Sequence, residues 1–199
     1  MKKTLFTVLF VALAAVSASA QNMFVKPMVG GTLSTLTGDT ENTKMRFGAV
    51  GGAEFGYMLS PEFAVTAGVL ASMQGAGVKD TEYLKDASTT LTYLNIPILA
   101  NYYVAPGLAI KAGVQPGFLL SAKMKGKEYV SGSWYEYDES GTDGMKKLDI
   151  SIPLGLSYEF DDFVIDARYN LGLTNINDSD VAKVKNGVIM LTVGYKIPL

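Results

Sequence analysis

The sequence predicts an all-β protein, an eight-stranded antiparallel up-and-down transmembrane β-barrel. Three observations predict it: apolar and polar residues alternate along many segments, the connections between these segments are alternately short and long, and the amino terminus has the pattern of a secretion signal. Alternation with a period of two is typical of a strand with one apolar and one polar face. In membrane-spanning barrels the apolar face contacts lipid and the polar face lines the interior.

The first 20 residues predict a cleaved signal peptide, which leaves residues 21–199 as one barrel domain. Two lysines form a basic start, an apolar run follows from Leu5 to Val16, and Ala18-Ser19-Ala20 has the small-x-small pattern of a cleavage site. A retained anchor is disfavoured, because the apolar run is shorter than the roughly 20 residues of a spanning helix. The chain has no cysteine, so it offers neither a lipid attachment site nor a disulfide framework.

Eight segments are predicted to be strands, and most exceed the ~9 to 11 residues that a tilted strand needs to cross the hydrocarbon. They are residues 23–35, 45–59, 62–74, 89–104, 108–123, 146–160, 163–173 and 186–199. Short connections lie at Ser60-Pro61, Ala105-Pro106-Gly107 and Asp161-Asp162, and long polar ones lie at residues 36–44, 75–88, 124–145 and 174–185. Outer-membrane barrels have short periplasmic turns and long extracellular loops, so both termini are expected in the periplasm.

The clearest alternation lies in the two strands that flank Asp161-Asp162. In the first strand one face carries only apolar and aromatic residues: Leu148, Ile150, Ile152, Leu154, Leu156, Tyr158 and Phe160. A soluble barrel such as a lipocalin also alternates, but it turns its apolar face inward to hold a ligand. Aromatic residues at the predicted periplasmic ends favour the membrane, because they form a girdle at the lipid headgroups. These residues are Phe55, Tyr57, Phe63, Tyr102, Tyr158, Phe160, Phe163 and Tyr195.

Composition excludes several classes of function. Charged residues make up 18% of the chain, less than the roughly 25% of ordinary soluble domains, and the formal net charge of -2 gives no reason to expect nucleic acid. The chain has no histidine and no cysteine, so it cannot build Ser-His, Asp-His or cysteine-based catalytic sites. We therefore expect no enzyme, no cofactor and no metal.

Continuing the alternation places twelve polar side chains on the inward face: Lys26, Arg46, Glu54, Glu62, Lys111, Gln115, Lys123, Asp149, Glu159, Asp166, Arg168 and Lys196. Side chains can fill the interior of an eight-stranded barrel, so these charges are expected to pair with one another or with trapped water. Five of them are expected to meet near the periplasmic half: Lys26, Glu54, Asp166, Arg168 and Lys196. The favoured interpretation is a structural ionic plug, and the alternative is a polar pathway for a small solute.

The longest loop carries the strongest candidate for surface recognition. Trp134, Tyr135 and Tyr137 stand in an aromatic and acidic tract, and Trp and Tyr are enriched in interaction hot spots. The alternative is an extension of the hairpin above the membrane, in which residues 125–129 pair with residues 133–137. In the last loop Asn177, Asp178 and Asp180 lack the spacing and the glycine of a calcium loop, which favours a solvated loop tip.

Three stretches carry a resemblance to a known family: Tyr93-Leu94-Asn95-Ile96-Pro97-Ile98-Leu99-Ala100-Asn101-Tyr102, Ile152-Pro153-Leu154-Gly155-Leu156-Ser157-Tyr158-Glu159-Phe160, and Asp166-Ala167-Arg168-Tyr169-Asn170-Leu171-Gly172-Leu173-Thr174-Asn175-Ile176. They resemble the recurring motifs of the PorT-type outer-membrane barrel family, and the resemblance extends to the final residues 193–199. It implies a small outer-membrane barrel, and the eponymous member is linked to a protein-secretion system. Such barrels usually end in an aromatic residue that the outer-membrane insertion machinery recognises, whereas this chain ends in Leu199.

The leading hypothesis is a non-enzymatic, monomeric barrel with a closed interior, embedded in outer-membrane lipid of a Gram-negative bacterium, that serves envelope structure or adhesion through its loops. A narrow channel for small solutes is the first alternative. An accessory factor of a secretion system is the second, and its role does not follow from the fold.

Overall fold

The computed structural model describes residues 22–40, 42–178 and 182–199, and the strands in these residues form one antiparallel sheet. The strands are β1 (Met23–Gly38), β2 (Thr43–Lys44), β3 (Arg46–Ser60), β4 (Phe63–Val78), β5 (Leu84–Asn95), β6 (Ile98–Ala105), β7 (Leu108–Val130), β8 (Ser133–Ser140), β9 (Leu148–Phe160), β10 (Phe163–Gly172), β11 (Val184–Tyr195) and β12 (Ile197–Pro198). The predicted signal peptide and Asp180 lie outside the described residues. The described part of the chain contains no helix long and apolar enough to cross a membrane.

The sheet closes into a ring with eight positions. The order of strands is β11-β10-β9-β7-β5-β4-β3-β1, and β1 pairs with β11 to close it. β5 and β6 share one position, since each pairs with β4 on one side and β7 on the other. The predicted all-β antiparallel arrangement of eight positions is therefore confirmed.

The predicted fourth strand, residues 89–104, is interrupted between β5 and β6. Pro97 has no backbone N–H to donate, and proline in a sheet breaks the ladder of hydrogen bonds at its position. The neighbouring strands stay attached, because Ile96 N–H donates to the Pro116 carbonyl and the Pro97 carbonyl accepts from Gly68 N–H, at 2.8 and 2.9 Å. The break therefore leaves the ring closed.

Most strands of the ring present one apolar face outward and a face with many polar residues to the interior. β10 shows the pattern most simply: Phe163, Ile165, Tyr169 and Leu171 are exposed, whereas Val164, Asp166, Arg168 and Asn170 are buried. At the ends beside the tight turns the outward residues are aromatic. The Phe163 ring stacks on Phe160 and meets Tyr195 edge-on, with centroids 5.8 and 5.2 Å apart.

Two residues that the alternation placed inside lie outside. Opposite Thr92 and Tyr93, β7 contains one extra residue, so that Ser121 and Leu119 are the partners and Leu120 has none. Such a bulge shifts the alternation by one residue, and Lys123 is therefore exposed. Glu62 is also exposed, because it lies in the turn after β3, where its carboxylate accepts a hydrogen bond from Ser60.

The longest predicted loop contains an additional hairpin beyond the ring. β7 continues to Val130 and pairs with β8, with Gly126 opposite Tyr137 and Tyr129 opposite Trp134. Ser131 and Gly132 form the turn and both have positive φ angles, 52° and 88°, as the tight hairpin turn that matches strand twist requires. The sequence suggested this extension of the hairpin, and the structure shows it with the pairing moved by one residue, since residues 125–129 pair with residues 134–138 and not with 133–137. We call residues 123–140 the surface hairpin.

Candidate functional site

Five charged side chains from four strands meet inside the ring and form what we call the charge cluster. They are Lys26 on β1, Glu54 on β3, Lys111 on β7, and Asp166 and Arg168 on β10. All five are almost completely buried. The register explains part of the assembly, because Lys26 and Glu54 are directly opposite each other on adjacent strands.

Arg168 holds this cluster together because its guanidinium reaches both acids. Its Nη2 atom lies 2.7 Å from Oε1 of Glu54, and its Nε atom lies 2.7 Å from Oδ1 of Asp166. Lys26 Nζ lies 2.8 Å from Oε2 of Glu54, and Lys111 donates a hydrogen bond to Asp166. A buried charge without a partner is strongly destabilising. Each acid therefore depends on at least two cations.

Three glycines lie against the stems of these charged side chains. A Cβ atom on Gly68 would lie 2.7 Å from Cγ of Glu54, and one on Gly155 would lie 2.6 Å from Cβ of Arg168. A Cβ atom on Gly194 would lie 2.9 Å from Cγ of Lys26. These distances are shorter than real contacts between carbon atoms, so the glycines leave the volume that the charge cluster occupies.

Lys196 does not join the charge cluster, contrary to the expectation from the sequence. It lies beyond β11, where its Nζ atom is 2.7 Å from Oε2 of Glu159 and 4.6 Å from the centre of the Phe24 ring. Tyr103 donates a hydrogen bond of 2.5 Å to the other oxygen of Glu159. Lys196, Glu159 and Tyr103 are half-buried, and together they cover the interior at the end of the ring where the tight turns lie.

Asp149 and Arg46 also lie apart from the charge cluster. Asp149 is buried and accepts hydrogen bonds from the Thr174 hydroxyl and the Asn186 amide, at 2.6 and 2.8 Å. Arg46 is half-buried at the start of β3, and its Nη1 atom has no hydrogen-bond partner among the described residues. The predicted set of inward charges is therefore divided into separate groups at different levels of the interior.

A small polar chamber is lined by Asp149 and by amide and hydroxyl side chains. Its lining consists of Gln74, Asn95, Gln115, Asp149, Ser151, Asn170, Asn186 and Val188. The volume is about 10 Å³, close to the minimum that holds one water molecule. Side chains therefore occupy nearly all of this level of the interior.

The alternation did not predict an apolar cluster inside the ring, formed by Leu91, Tyr93, Leu119, Ala122 and Ile176. Leu91 and Tyr93 stand at inward positions of β5, and Ile176 reaches the cluster from the loop after β10. An open apolar groove of about 290 Å³ lies beside them, with Leu36, Met145 and Val184 in its wall. The change to large apolar residues along the inward face of β5 is the feature of the sequence that could have predicted this cluster.

The surface hairpin holds Trp134, Tyr135 and Tyr137, but these three do not form one patch. Trp134 packs on Tyr129 with ring centroids 5.2 Å apart, and Lys85 Nζ lies 4.7 Å from its ring centre. Tyr137 lies over Gly126, whereas Tyr135 is exposed. Trp134 and Tyr137 thus pack against other parts of the hairpin and of β5, and Tyr135 remains available for contact.

Two cross-strand ion pairs cover one face of the hairpin. Lys125 pairs with Asp138 at 2.9 Å, and Lys127 pairs with Glu136 at 2.8 Å. The hydrogen bond from Lys127 lowers the pKa of Glu136 below its ordinary value, and the pKa of Lys127 is raised in return. Exposed pairs of this kind contribute little to stability. They keep the hairpin charged and hydrated.

Across residues 22–40, 42–178 and 182–199 there is no group of three or more His, Cys, Asp or Glu side chains that could hold a metal ion. The carboxylates of the charge cluster contact lysine and arginine, an arrangement that stabilises their charges.

Comparison with known proteins identifies the family. Residues 18–178 match the family described as "Outer membrane protein beta-barrel domain". The chain belongs to this family. The ring is therefore an outer-membrane β-barrel, and its outward apolar face contacts the lipid of the outer membrane of a Gram-negative bacterium.

Solved structures with a similar fold include Ail, the attachment invasion locus protein of Yersinia pestis. That crystal structure is 16% identical, covers 89% of this chain and 99% of its own, and has a TM-score of 0.50. The same protein in complex with the heparin analogue sucrose octasulfate is 15% identical, covers 88% of this chain and 99% of its own, and has a TM-score of 0.52. Identities this low show a shared fold only. No curated protein sequence matches this chain.

Proposed function

We propose that this protein is a non-enzymatic, monomeric outer-membrane barrel with a closed interior, which presents the surface hairpin outside the cell for envelope structure or adhesion. The observation that carries this proposal is the filling of the interior. Five mutually paired charges occupy one level, the chamber above them has a volume of about 10 Å³, and an apolar cluster follows. A solute larger than water would have to displace these side chains.

Conductance of the purified barrel in a planar lipid bilayer tests the closed interior. We expect current near background under conditions in which circular dichroism of the same preparation shows a folded β-protein in lipid. Steady, stepwise conductance of the wild-type protein would overturn the proposal. It would favour the alternative, a narrow channel for small solutes, which the unpartnered amides of the polar chamber support.

The proposed orientation places both termini and the tight turns in the periplasm. The connection lengths support it, since the turns at Pro61, Pro106 and Asp161 are tight and the surface hairpin is long. Assembly in this orientation would require the outer-membrane insertion machinery. The aromatic residues at the tight-turn ends would then stand at the inner surface of the membrane.

A role in attachment is compatible with the surface hairpin. From residue 123 to residue 140 it carries three lysines and four acids, a net charge of -1. A similar barrel is named an attachment invasion locus protein, although fold alone does not transfer function. The hairpin is close to neutral and so favours no strongly charged partner, and Tyr135 is its most accessible aromatic side chain. Binding of cells or isolated envelope components to the wild-type barrel and to Tyr135→Ser would test this role.

The motifs that resemble the PorT-type family support a narrower assignment within the outer-membrane barrels. An accessory role in protein secretion would accompany it, and this role would require a protein partner. Secretion of substrate proteins by cells that lack this barrel tests the role. Normal secretion would argue for the structural or adhesive role.

A further inference from the structure

Asp149 is a buried carboxylate that forms no ion pair with any lysine or arginine in the described part of the chain. Its side chain lies in the interior, and no lysine or arginine nitrogen of the described residues approaches it within 4 Å, whereas every acid of the charge cluster has at least two such neighbours. Burial of an ionised carboxylate is expensive unless its charge is balanced. The negative charge of Asp149 therefore requires a proton, a bound cation or an exceptional set of hydrogen bonds.

The hydrogen bonds of Asp149 fit an ionised carboxylate. Oδ1 accepts from the Thr174 hydroxyl and Oδ2 accepts from the Asn186 amide. The Thr174 hydroxyl in turn accepts from the backbone N–H of Ile150 at 2.9 Å, so its own proton is free to point at Asp149. A protonated carboxyl group would have to donate from one of its oxygens. Both oxygens lie at hydrogen-bonding distance from groups that can donate to them, as an ionised carboxylate requires.

The chamber beside Asp149 contains more acceptors than donors. Among the described residues, three amide oxygens that line it have no hydrogen-bond partner, Oε1 of Gln115, Oδ1 of Asn170 and Oδ1 of Asn186, against one amide nitrogen, Nδ2 of Asn170. All three residues are at least nine-tenths buried. The amide nitrogens of Gln115 and Asn186 already donate, to Ser151 and to Asp149, so rotating these amides would break existing hydrogen bonds. Buried oxygen atoms without donors create a negative potential, which attracts a positive charge.

We propose that the polar chamber binds one small monovalent cation, such as sodium, with Asp149 as the charged ligand and the amide oxygens of Gln115, Asn170 and Asn186 as neutral ligands. Carboxylate and carbonyl oxygens are the ligands that hard cations prefer. A volume of about 10 Å³ has room for a single ion and excludes an organic cation. One positive charge balances the single carboxylate, whereas a divalent ion would leave a net charge inside the barrel.

The site would link the middle of the barrel to its loops. Asp149 lies at the start of β9, Asn186 lies on β11, and Thr174 lies just after β10. A cation held between them would stabilise the ends of three adjacent strands where the last loop begins. The proposal concerns these residues alone, so it does not depend on whether the interior conducts.

Thermal unfolding in detergent, followed by circular dichroism, tests the site. The barrel is folded separately in sodium chloride, potassium chloride, calcium chloride and tetramethylammonium chloride at equal ionic strength. Sodium is expected to raise the unfolding midpoint saturably relative to tetramethylammonium, which is too large for the chamber. Sodium at about 100 times its Kd lowers the unfolding equilibrium constant about 100-fold when it binds the folded state only.

Two variants and one control locate the effect. Asp149→Asn keeps the shape of the side chain and should abolish the dependence on sodium, and Asn170→Ala should shift it to higher concentrations. Asp138→Asn removes an exposed acid of the surface hairpin and should respond to sodium as the wild type does. Equal midpoints of the wild type in sodium and tetramethylammonium would overturn the proposal, as would stabilisation by calcium alone or a sodium effect that Asp149→Asn retains.

Discussion

Arg168 on β10 and Glu54 on β3 contact each other inside the barrel, with 2.7 Å between Nη2 and Oε1, although β11 and β1 separate their strands in the ring. Asp166 lies two residues from Arg168 and accepts from its Nε atom and from Lys111 on β7. The charge cluster thus joins β10 to β3 and to β7, with which β10 shares no backbone hydrogen bonds. The charge cluster can therefore form only when the ring of strands is closed.

Replacement of Arg168 by alanine should destabilise the barrel and leave it non-conducting. Glu54 and Asp166 would each lose a cation while they remain buried, a change that typically costs about 3 to 5 kcal/mol. The unfolding midpoint in detergent and the conductance in a planar bilayer measure the two effects. Lys125→Ala, in the exposed surface hairpin, is the control and should leave both unchanged. If Arg168→Ala were as stable as the wild type and its conductance changed with the charge removed, the interior would be a water-filled path.

A methyl group at Gly68 should destabilise the barrel by overpacking. The added Cβ atom would lie 2.7 Å from Cγ of Glu54 and 2.9 Å from the Ala53 carbonyl oxygen. Insertion of extra volume into a packed interior typically costs about 1 to 3 kcal/mol. The free energy of unfolding of Gly68→Ala measures the cost. Gly141→Ala is the matched control, because nothing lies within 4 Å of its added Cβ atom, and an equal effect of the two substitutions would contradict the packing argument.

A charge on the lipid face should impair membrane insertion. Leu154 lies midway along β9 with its side chain exposed on the apolar outer face. Arginine at the bilayer midplane typically costs about 2 to 4 kcal/mol in such barrels. The yield of Leu154→Arg in isolated outer membranes should fall, whereas Tyr135→Arg in the surface hairpin should insert normally. Equal yields of both variants would place Leu154 outside the hydrocarbon.

Single cysteines can report the orientation, because the chain has none of its own. Ser133→Cys, at the start of β8, should react with a membrane-impermeant maleimide on intact cells. Pro61→Cys, in the tight turn after β3, should react only after the outer membrane is permeabilised. Both positions are exposed, so burial does not limit either reaction. Labelling in the opposite order would reverse the proposed orientation of the termini.

The ion pair between Lys127 and Glu136 should be visible in a titration. The hydrogen bond from Lys127 stabilises the ionised carboxylate and holds the pKa of Glu136 below its ordinary value. In Lys127→Ala this pKa should rise toward that value, which NMR titration of the carboxyl carbon would measure. Lys125→Ala removes the neighbouring lysine, which pairs with Asp138, and should change the pKa of Glu136 less.

The bounds of a strand could be predicted where apolar and polar residues alternate regularly along it. Residues 163–173 were predicted as one strand and β10 spans Phe163–Gly172, since every second residue of that segment is apolar. Residues 89–104 were predicted as one strand and form two, because Pro97 cannot donate to the ladder. No residue comparable to Pro97 marks the bulge in β7. Lys123 was therefore assigned to the wrong face of the sheet.

The sequence by itself determined which residues of the regular strands face lipid and which face the interior, because a strand has a period of two and lipid accepts only apolar side chains. It also determined that histidine and cysteine chemistry is impossible. The alternation and the closure of the ring grouped Lys26, Glu54, Asp166 and Arg168, but only the tertiary structure decided that Lys111 joins them in place of Lys196 and which atoms pair. Arg168 and Glu54 are 114 residues apart in the chain, and their contact depends on the register of every intervening pair of strands. For the same reason Lys196 pairs with Glu159 and Asp149 lies among amides, because position along the barrel axis follows from register and not from alternation.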